Sequence, residues 1–214
     1  MIQKEEKKAL AQQAKAVKNN MLETDKRIVL ASQSPRRKEL LSLIFNNFEV
    51  IPSDAEENVN YELPPHEIVQ ELAENKARYV CEGLNDSNAV VIGADTIVYC
   101  DGRVMLKPRD RRDAENMLST LSGREHSVFT GVSIVTLDST ETFYSETRVK
   151  FKELSKKDIE SYIDTNEPMD KAGAYGIQGY GALFVERIDG NYHNVVGLPT
   201  SEIYCRFRSM TNDE

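Results

Sequence analysis

Long apolar runs are missing from this sequence. No stretch approaches the roughly 20 residues that a membrane-spanning helix requires. The N-terminus, M-I-Q-K-E-E-K-K, lacks the apolar core of a signal peptide, and its glutamates are wrong for a transit peptide. Cysteine is scarce: Cys81, Cys100 and Cys205 are an odd number, far apart, with no C-x-x-C or Cys/His ligand spacing, which points to a reducing compartment. His66, His126 and His193 form no H-x-H or H-E-x-x-H pair, so a dedicated zinc site is not expected. Positive charge is in deficit, with a formal net charge of −8 and a pI of about 5.1. That balance disfavours a nucleic-acid backbone or an anionic membrane as the main partner, since both call for a broad basic surface. Any anion must be held locally. The absence of a P-loop and of G-x-G-x-x-G disfavours a kinase or a dinucleotide enzyme. These absences together describe a cytoplasmic protein.

What is present fits one unit with an appendage, residues 1–26 as an N-terminal helical extension and 27–214 as the body. Over residues 3–22, Leu10, Ala14, Val17 and Met21 make a thin apolar stripe at helical spacing. From Arg27, I-V-L-A reads as a buried strand, and Ser34 as N-cap with Pro35 at the first position starts a helix. Pro64 and Pro65 introduce a second helix, with Val69, Leu72, Ala73, Lys76 and Val80 on one face. The run from Ala89 to Cys100 reads as a buried strand entering a hairpin at Asp101-Gly102. Helices are expected over about 110–122, 155–164 and 199–210, strands over about 127–136 and 142–152, and a hairpin at Asp189-Gly190-Asn191. The stretch N-E-P-M-D-K-A-G-A-Y-G-I-Q-G-Y-G is too glycine-rich for a regular element, and loops of such length are usually functional. Parallel-type strands mixed with alternating ones predict an α/β fold with a curved mixed sheet flanked by helices.

The strongest local signal is S-Q-S-P-R-R-K-E-L-L, residues 32–41. A tight strand-to-helix turn offers backbone N–H groups to an anion. Arg36 and Arg37 stand in the first helical turn, where the dipole disfavours cations, so either a bound anion offsets them or the turn is a solvated basic segment or a phosphorylation site. In G-A-D-T, Asp95 is read as lying at or near a strand end, where open α/β sheets place ligands, or else as a turn former or cap. Lys107 in L-K-P is a cleft cation or a surface lysine, Lys76 a cleft cation or a snorkelling one, and Gln178 a base reader or a plain loop residue. As a set they supply what phosphoryl chemistry needs: cations for phosphates, a carboxylate for metal or water, and an amide for a base.

Five segments, I-V-L-A-S-Q-S-P-R-R-K-E-L-L, V-I-G-A-D-T-I-V, K-P-R-D, M-L-S-T-L-S-G-R-E-H-S-V-F-T-G-V and E-P-M-D-K-A-G-A-Y-G-I-Q-G-Y-G-A-L-F-V, resemble the Maf family of nucleotide pyrophosphatases, in order from about Arg27 to Phe207. The resemblance implies a fold related to the inosine triphosphate pyrophosphatases, two lobes around a cleft, often a homodimer, and dependence on a divalent cation such as Mg²⁺ or Mn²⁺. It also implies that Asp95 is the catalytic acid, that Arg36, Arg37, Lys76 and Lys107 bind phosphates, and that Ser32, Thr96 and Gln178 join the substrate site. Asp95 with Glu57 is the expected metal pair; Glu56 and the more distant Glu39 are further candidates, all three glutamates otherwise being acidic loop or surface residues. Arg36, Thr96 and Gln178 look like the branch acting on dTTP and UTP, rather than the one preferring 7-methyl-GTP. The rival expectation is a nucleotide-sensing regulator of cell division that does not hydrolyse.

Overall fold

Val29, Leu30, Val91 and Ile92 are buried on both faces of their strands, and such continuous apolar runs belong where helices cover a sheet on either side. The computed structural model describes residues 22–56 and 59–211 and places these strands at the centre of a mixed sheet. The expected N-terminal helix falls outside the described residues up to residue 21, and so does Glu57. The strands are β1 (Arg27–Leu30), β2 (Glu49–Val50), β3 (Ala89–Cys100), β4 (Arg103–Met105), β5 (Glu125–Val135), β6 (Thr140–Phe151) and β7 (Val185–Asp189). Their order is β2-β1-β3-β5-β6-β7, with β4 paired to β3. β1 runs parallel to β2 and β3, and the remaining pairs are antiparallel. The helices are α1 (Pro35–Leu41), α2 (Pro65–Leu84), α3 (Arg111–Leu121), α4 (Lys156–Asp164), α5 (Tyr192–Val196) and α6 (Thr200–Thr211).

Side chains alternate across β3 and sort the core. Ile92 and Ala94 pack into one cluster with Leu41 of α1 and Ile203 of α6, whereas Val98 and Cys100, on the same face further along, pack with Leu118 of α3 and Ile163 of α4. Thr96 stands between these two lobes. On the opposite face, Val91 and Ile97 pack under α2.

Asp95 does not lie at a strand end, as the sequence suggests, but in the interior of β3, because β5 pairs with that strand from Val91 to Tyr99. What ends is the neighbour on the other side. β1 covers only Ala89 to Ile92 and β4 joins at Val98, so residues 93–97 border a gap in the sheet. Side chains from both faces of β3 reach that gap.

Two glycines bring α2 close enough to use it. A Cβ on Gly131, which pairs with Asp95, would lie 2.1 Å from the Val69 carbonyl, and one on Gly93 would lie 2.3 Å from that of Ala73. Backbone atoms cannot swing aside as side chains do. Gly131→Ala is therefore expected to lower unfolding free energy by about 1–3 kcal/mol, read as a fall in the urea midpoint; an unchanged midpoint would mean the helix has slack against the sheet.

The expected hairpin at Asp189-Gly190-Asn191 does not form. β7 pairs back onto β6, Arg148 opposite Asp189, and Asn191 instead caps α5, its side chain accepting from His193 N and Asn194 N. The glycine-rich stretch contains the short 3₁₀ turns Glu167–Asp170, Ala172–Ala174 and Gly179–Phe184.

Candidate active site

The gap beside β3 opens into a cleft of about 700 Å³ between the two lobes. Ser32, Arg36, Arg37, Lys76, Asp95, Thr96, Lys107 and Gln178 all line it, though they come from well-separated parts of the chain. Of the carboxylates expected to share a metal with Asp95, Glu57 lies outside the described residues, and neither Glu56 nor Glu39 lines the cleft. Glu39 is corrected to a separate groove with Lys38 and Phe48, because α1 turns that face away.

Asp95 faces α2, where Lys76 Nζ donates to its Oδ1 at 2.5 Å, each side chain being 16% exposed. Lys76 follows the buried Ala73 and precedes the buried Ala77, so the helix face that packs on the sheet also delivers this ammonium to the carboxylate. The apolar stripe thus carries a cation paired within the cleft rather than one escaping to water.

Arg37 is held on several sides. Its guanidinium donates to Gly197 O at 2.9 Å, Thr96 Oγ1 at 3.1 Å and Ser32 Oγ at 3.3 Å. Thr96 shares a 2.9 Å hydrogen bond with Thr130, whose hydroxyl donates to the carbonyl of the fully buried Asn194. Asn194 in turn donates to Val128 O and Thr147 Oγ1. This chain of bonds ties α1, β3, β5 and α5 together beneath the cleft, and Arg37 is its member on α1 as well as a lining residue of the cleft.

Arg36 reaches across instead, donating to Asp170 Oδ2 at 3.1 Å. With that carboxylate 61% exposed, such a pair is worth at most about 1 kcal/mol, and a more highly charged anion displaces it easily. Burial raises the Asp170 pKa, but hydrogen bonds from Lys171 and Arg36 outweigh it and hold the carboxyl below its ordinary range. Gln178 is exposed at the mouth, and its amide makes no hydrogen bond among the described residues. The backbone around it is pinned by Glu167, which accepts from Tyr180 N at 3.0 Å, Gly181 N at 3.1 Å and Tyr162 Oη at 2.9 Å. Gly179, at φ 74°, sits where a Cβ would lie 2.6 Å from that same carboxylate.

Local sequence patterns do not single out Asp170, Lys171, Glu167, Thr130 or Asn194. Asp170 and Lys171 stand inside the glycine-rich stretch, and a charged pair in a loop of functional length is the signal that could have found them. Glu167, Thr130 and Asn194 act through contacts with distant backbone, which no local pattern encodes.

Among the described residues no group of three or more His, Cys, Asp or Glu side chains is placed to hold a metal. Asp95 and Asp170 are the carboxylates lining the cleft. Two carboxylates, each already paired with a cation, suit an ion held mainly by substrate phosphates and water, as Mg²⁺ commonly is, better than a protein-built cage.

At the back of the cleft Tyr175 shares a 2.8 Å hydrogen bond with His126 Nε2, while His126 Nδ1 has no partner among the described residues. Burial lowers the His126 pKa from 6.5 to about 4. Between those values the unfolded chain binds the extra proton and the folded protein does not. This contribution to stability is therefore whole above pH 6.5 and is lost as the pH falls toward 4. The loss amounts to roughly 3 kcal/mol. Unfolding free energy should accordingly fall more steeply with acid in the parent than in His126→Gln, and parallel profiles would contradict a neutral buried imidazole.

The family model described as "Maf-like protein" matches residues 27–210. A dTTP/UTP pyrophosphatase of Bacillus velezensis is 56% identical over 177 residues, covering 83% of this chain and 93% of the relative. Proteins of the same name from Bacillus cereus and Bacillus anthracis are each 47% identical, covering 89% and 88% of this chain and 93% and 97% of the relatives. Among solved structures, the Staphylococcus aureus Ham1 protein is similar over 73% of this chain and 78% of that one, at 19% identity and a TM-score of 0.46. Both the extent of the family match and the identity to the Bacillus relatives lead to one conclusion: the chain belongs to the Maf family.

Proposed function

We propose that this protein hydrolyses dTTP and UTP to the nucleoside monophosphate and pyrophosphate. The observation that carries the reading is the convergence of Arg36, Lys76, Asp95, Lys107 and Gln178 on one cleft, and it agrees with the name the Bacillus relatives bear. Arg36 and Lys107 neutralise the triphosphate and the charge that builds on the leaving pyrophosphate. Lys76 fixes the direction of the Asp95 carboxylate, with which it shares a 2.5 Å hydrogen bond. Asp95 orients a water for attack at the α-phosphorus and takes its proton. Gln178 reads the base, since a primary amide donates to O4 of uracil or thymine while accepting from N3–H.

Asp95 would hold a divalent cation, Mg²⁺ or Mn²⁺, together with substrate phosphates, and such an ion would supply a water of lowered pKa. Among the described residues no helix is long and apolar enough to cross a membrane, in keeping with a cytoplasmic enzyme acting on free nucleotides.

Incubation with dTTP, UTP, CTP and 7-methyl-GTP in Mg²⁺, with products separated by ion exchange, tests the reading. Pyrophosphate and monophosphate should appear first from dTTP and UTP. Preference for 7-methyl-GTP would move the chain to the other branch, and binding without any turnover would support the regulator.

A further inference from the structure

The cleft wall facing α1 carries two charged side chains that the mechanism above leaves without a task. Asp170 and Lys171 follow one another at the end of the 3₁₀ turn Glu167–Asp170, and both line the cleft. One Asp170 oxygen accepts from Arg36 at 3.1 Å and the other from Lys171 Nζ at 2.6 Å. Lys171 Nζ also donates to the Glu167 carbonyl at 2.6 Å, and its side chain is only 14% exposed, against 61% for Asp170. A solvent-facing carboxylate thus bridges one cation from each wall.

The path of the lysine stem is built into the chain. Gly176 has no positive φ that would call for glycine. A Cβ there would instead lie 2.7 Å from Lys171 Cε and 2.8 Å from Cδ, and 3.3 Å from the Gln178 carbonyl. The space left by the missing side chain holds the Lys171 stem on course into the cleft. A lysine serving only as surface charge needs no such groove. Arg and Lys bind phosphate through the same charge-assisted hydrogen bonds they give a carboxylate, and a triphosphate brings several negative charges where Asp170 brings one.

We propose that Lys171 is a further substrate-binding residue that grips the pyrophosphate end of the nucleotide opposite Arg36, and that Asp170 is a resident counter-anion that occupies the two cations until the phosphates displace it. This rests on the triphosphate reading of the cleft.

The test is calorimetric titration of pyrophosphate and of UMP into the full-length parent and the variants Lys171→Gln, Lys171→Arg, Asp170→Asn and Gly176→Ala, with UTP kinetics alongside. Lys171→Gln should weaken pyrophosphate and raise the KM for UTP by about tenfold or more, while leaving UMP affinity unchanged, because UMP lacks the group gripped. Lys171→Arg should restore most of the loss. Gly176→Ala should reproduce the pyrophosphate defect without any change of charge, and Asp170→Asn should tighten pyrophosphate by removing its competitor. Equal weakening of pyrophosphate and UMP in Lys171→Gln would reveal a merely structural lysine and overturn the assignment. So would unchanged pyrophosphate affinity in that variant, or weaker pyrophosphate binding in Asp170→Asn. A parent that neither binds pyrophosphate nor hydrolyses UTP overturns the functional reading as well, whereas a turning-over parent with an indifferent Lys171→Gln overturns this assignment alone.

Discussion

Asp95→Asn is expected to reduce kcat for UTP by roughly a hundred- to ten-thousandfold, the range lost when a positioned acid–base group is removed, while nucleotide affinity stays within about threefold of the parent. The split follows from geometry. Asparagine keeps the shape of the carboxylate and an oxygen for the 2.5 Å hydrogen bond from Lys76, so the cleft and its cations remain in place. What it loses is the capacity to accept a proton from water and the charge that would help hold a divalent ion. With turnover slowed that far, UTP binding can be titrated directly. An Asn variant that turns over normally would move both the base and the metal contact to another residue, and one that no longer binds UTP would make Asp95 a structural partner of Lys76.

Gln178→Glu is expected to lower kcat/KM for UTP and dTTP by roughly a hundredfold or more, because a site built to hydrogen-bond a substrate group discriminates strongly when the pairing is broken. The carboxylate still accepts from N3–H but turns an acceptor toward O4, where the amide placed a donor. Glu167 continues to pin Tyr180 and Gly181 through their backbone N–H groups, so the backbone around the new residue is unaltered. Pyrophosphate, which carries no base, should bind as before. Retained preference for UTP and dTTP would show that the pyrimidine is recognised elsewhere in the cleft.

Much of this arrangement is legible in the amino-acid sequence. Ser34 and Pro35 open α1 where the cap rule puts them, and Ser155 with Asp158 forms the capping box that its spacing announces. Lys76 is conspicuous as a charge on an apolar helical stripe, and the fold gives that anomaly a partner in Asp95. The missing hairpin at Asp189-Gly190-Asn191 has a physical cause: Asn191 serves equally well as a turn former and as an N-cap, and Thr147, bonded to its backbone, and Ser201, bonded to its side chain, hold it in the cap geometry. Asp95 reads as a strand end because polarity interrupts an apolar run there. The strand continues because Gly131 and its neighbours on β5 keep pairing with it, a non-local fact. Arg37 illustrates the limit in the opposite sense. Its position beside Arg36 suggests an equivalent environment, yet Arg37 makes three hydrogen bonds to residues from Ser32 to Gly197 where Arg36 reaches across to Asp170.

If one cleft holds the triphosphate as proposed, water directed by Asp95 attacks the α-phosphorus. Turnover of UTP in ¹⁸O-labelled water, followed by mass spectrometry of both products, tests it most directly. Attack at the α-phosphorus puts one labelled oxygen in UMP and none in pyrophosphate. Label in pyrophosphate, or release of UDP and labelled inorganic phosphate, would contradict it.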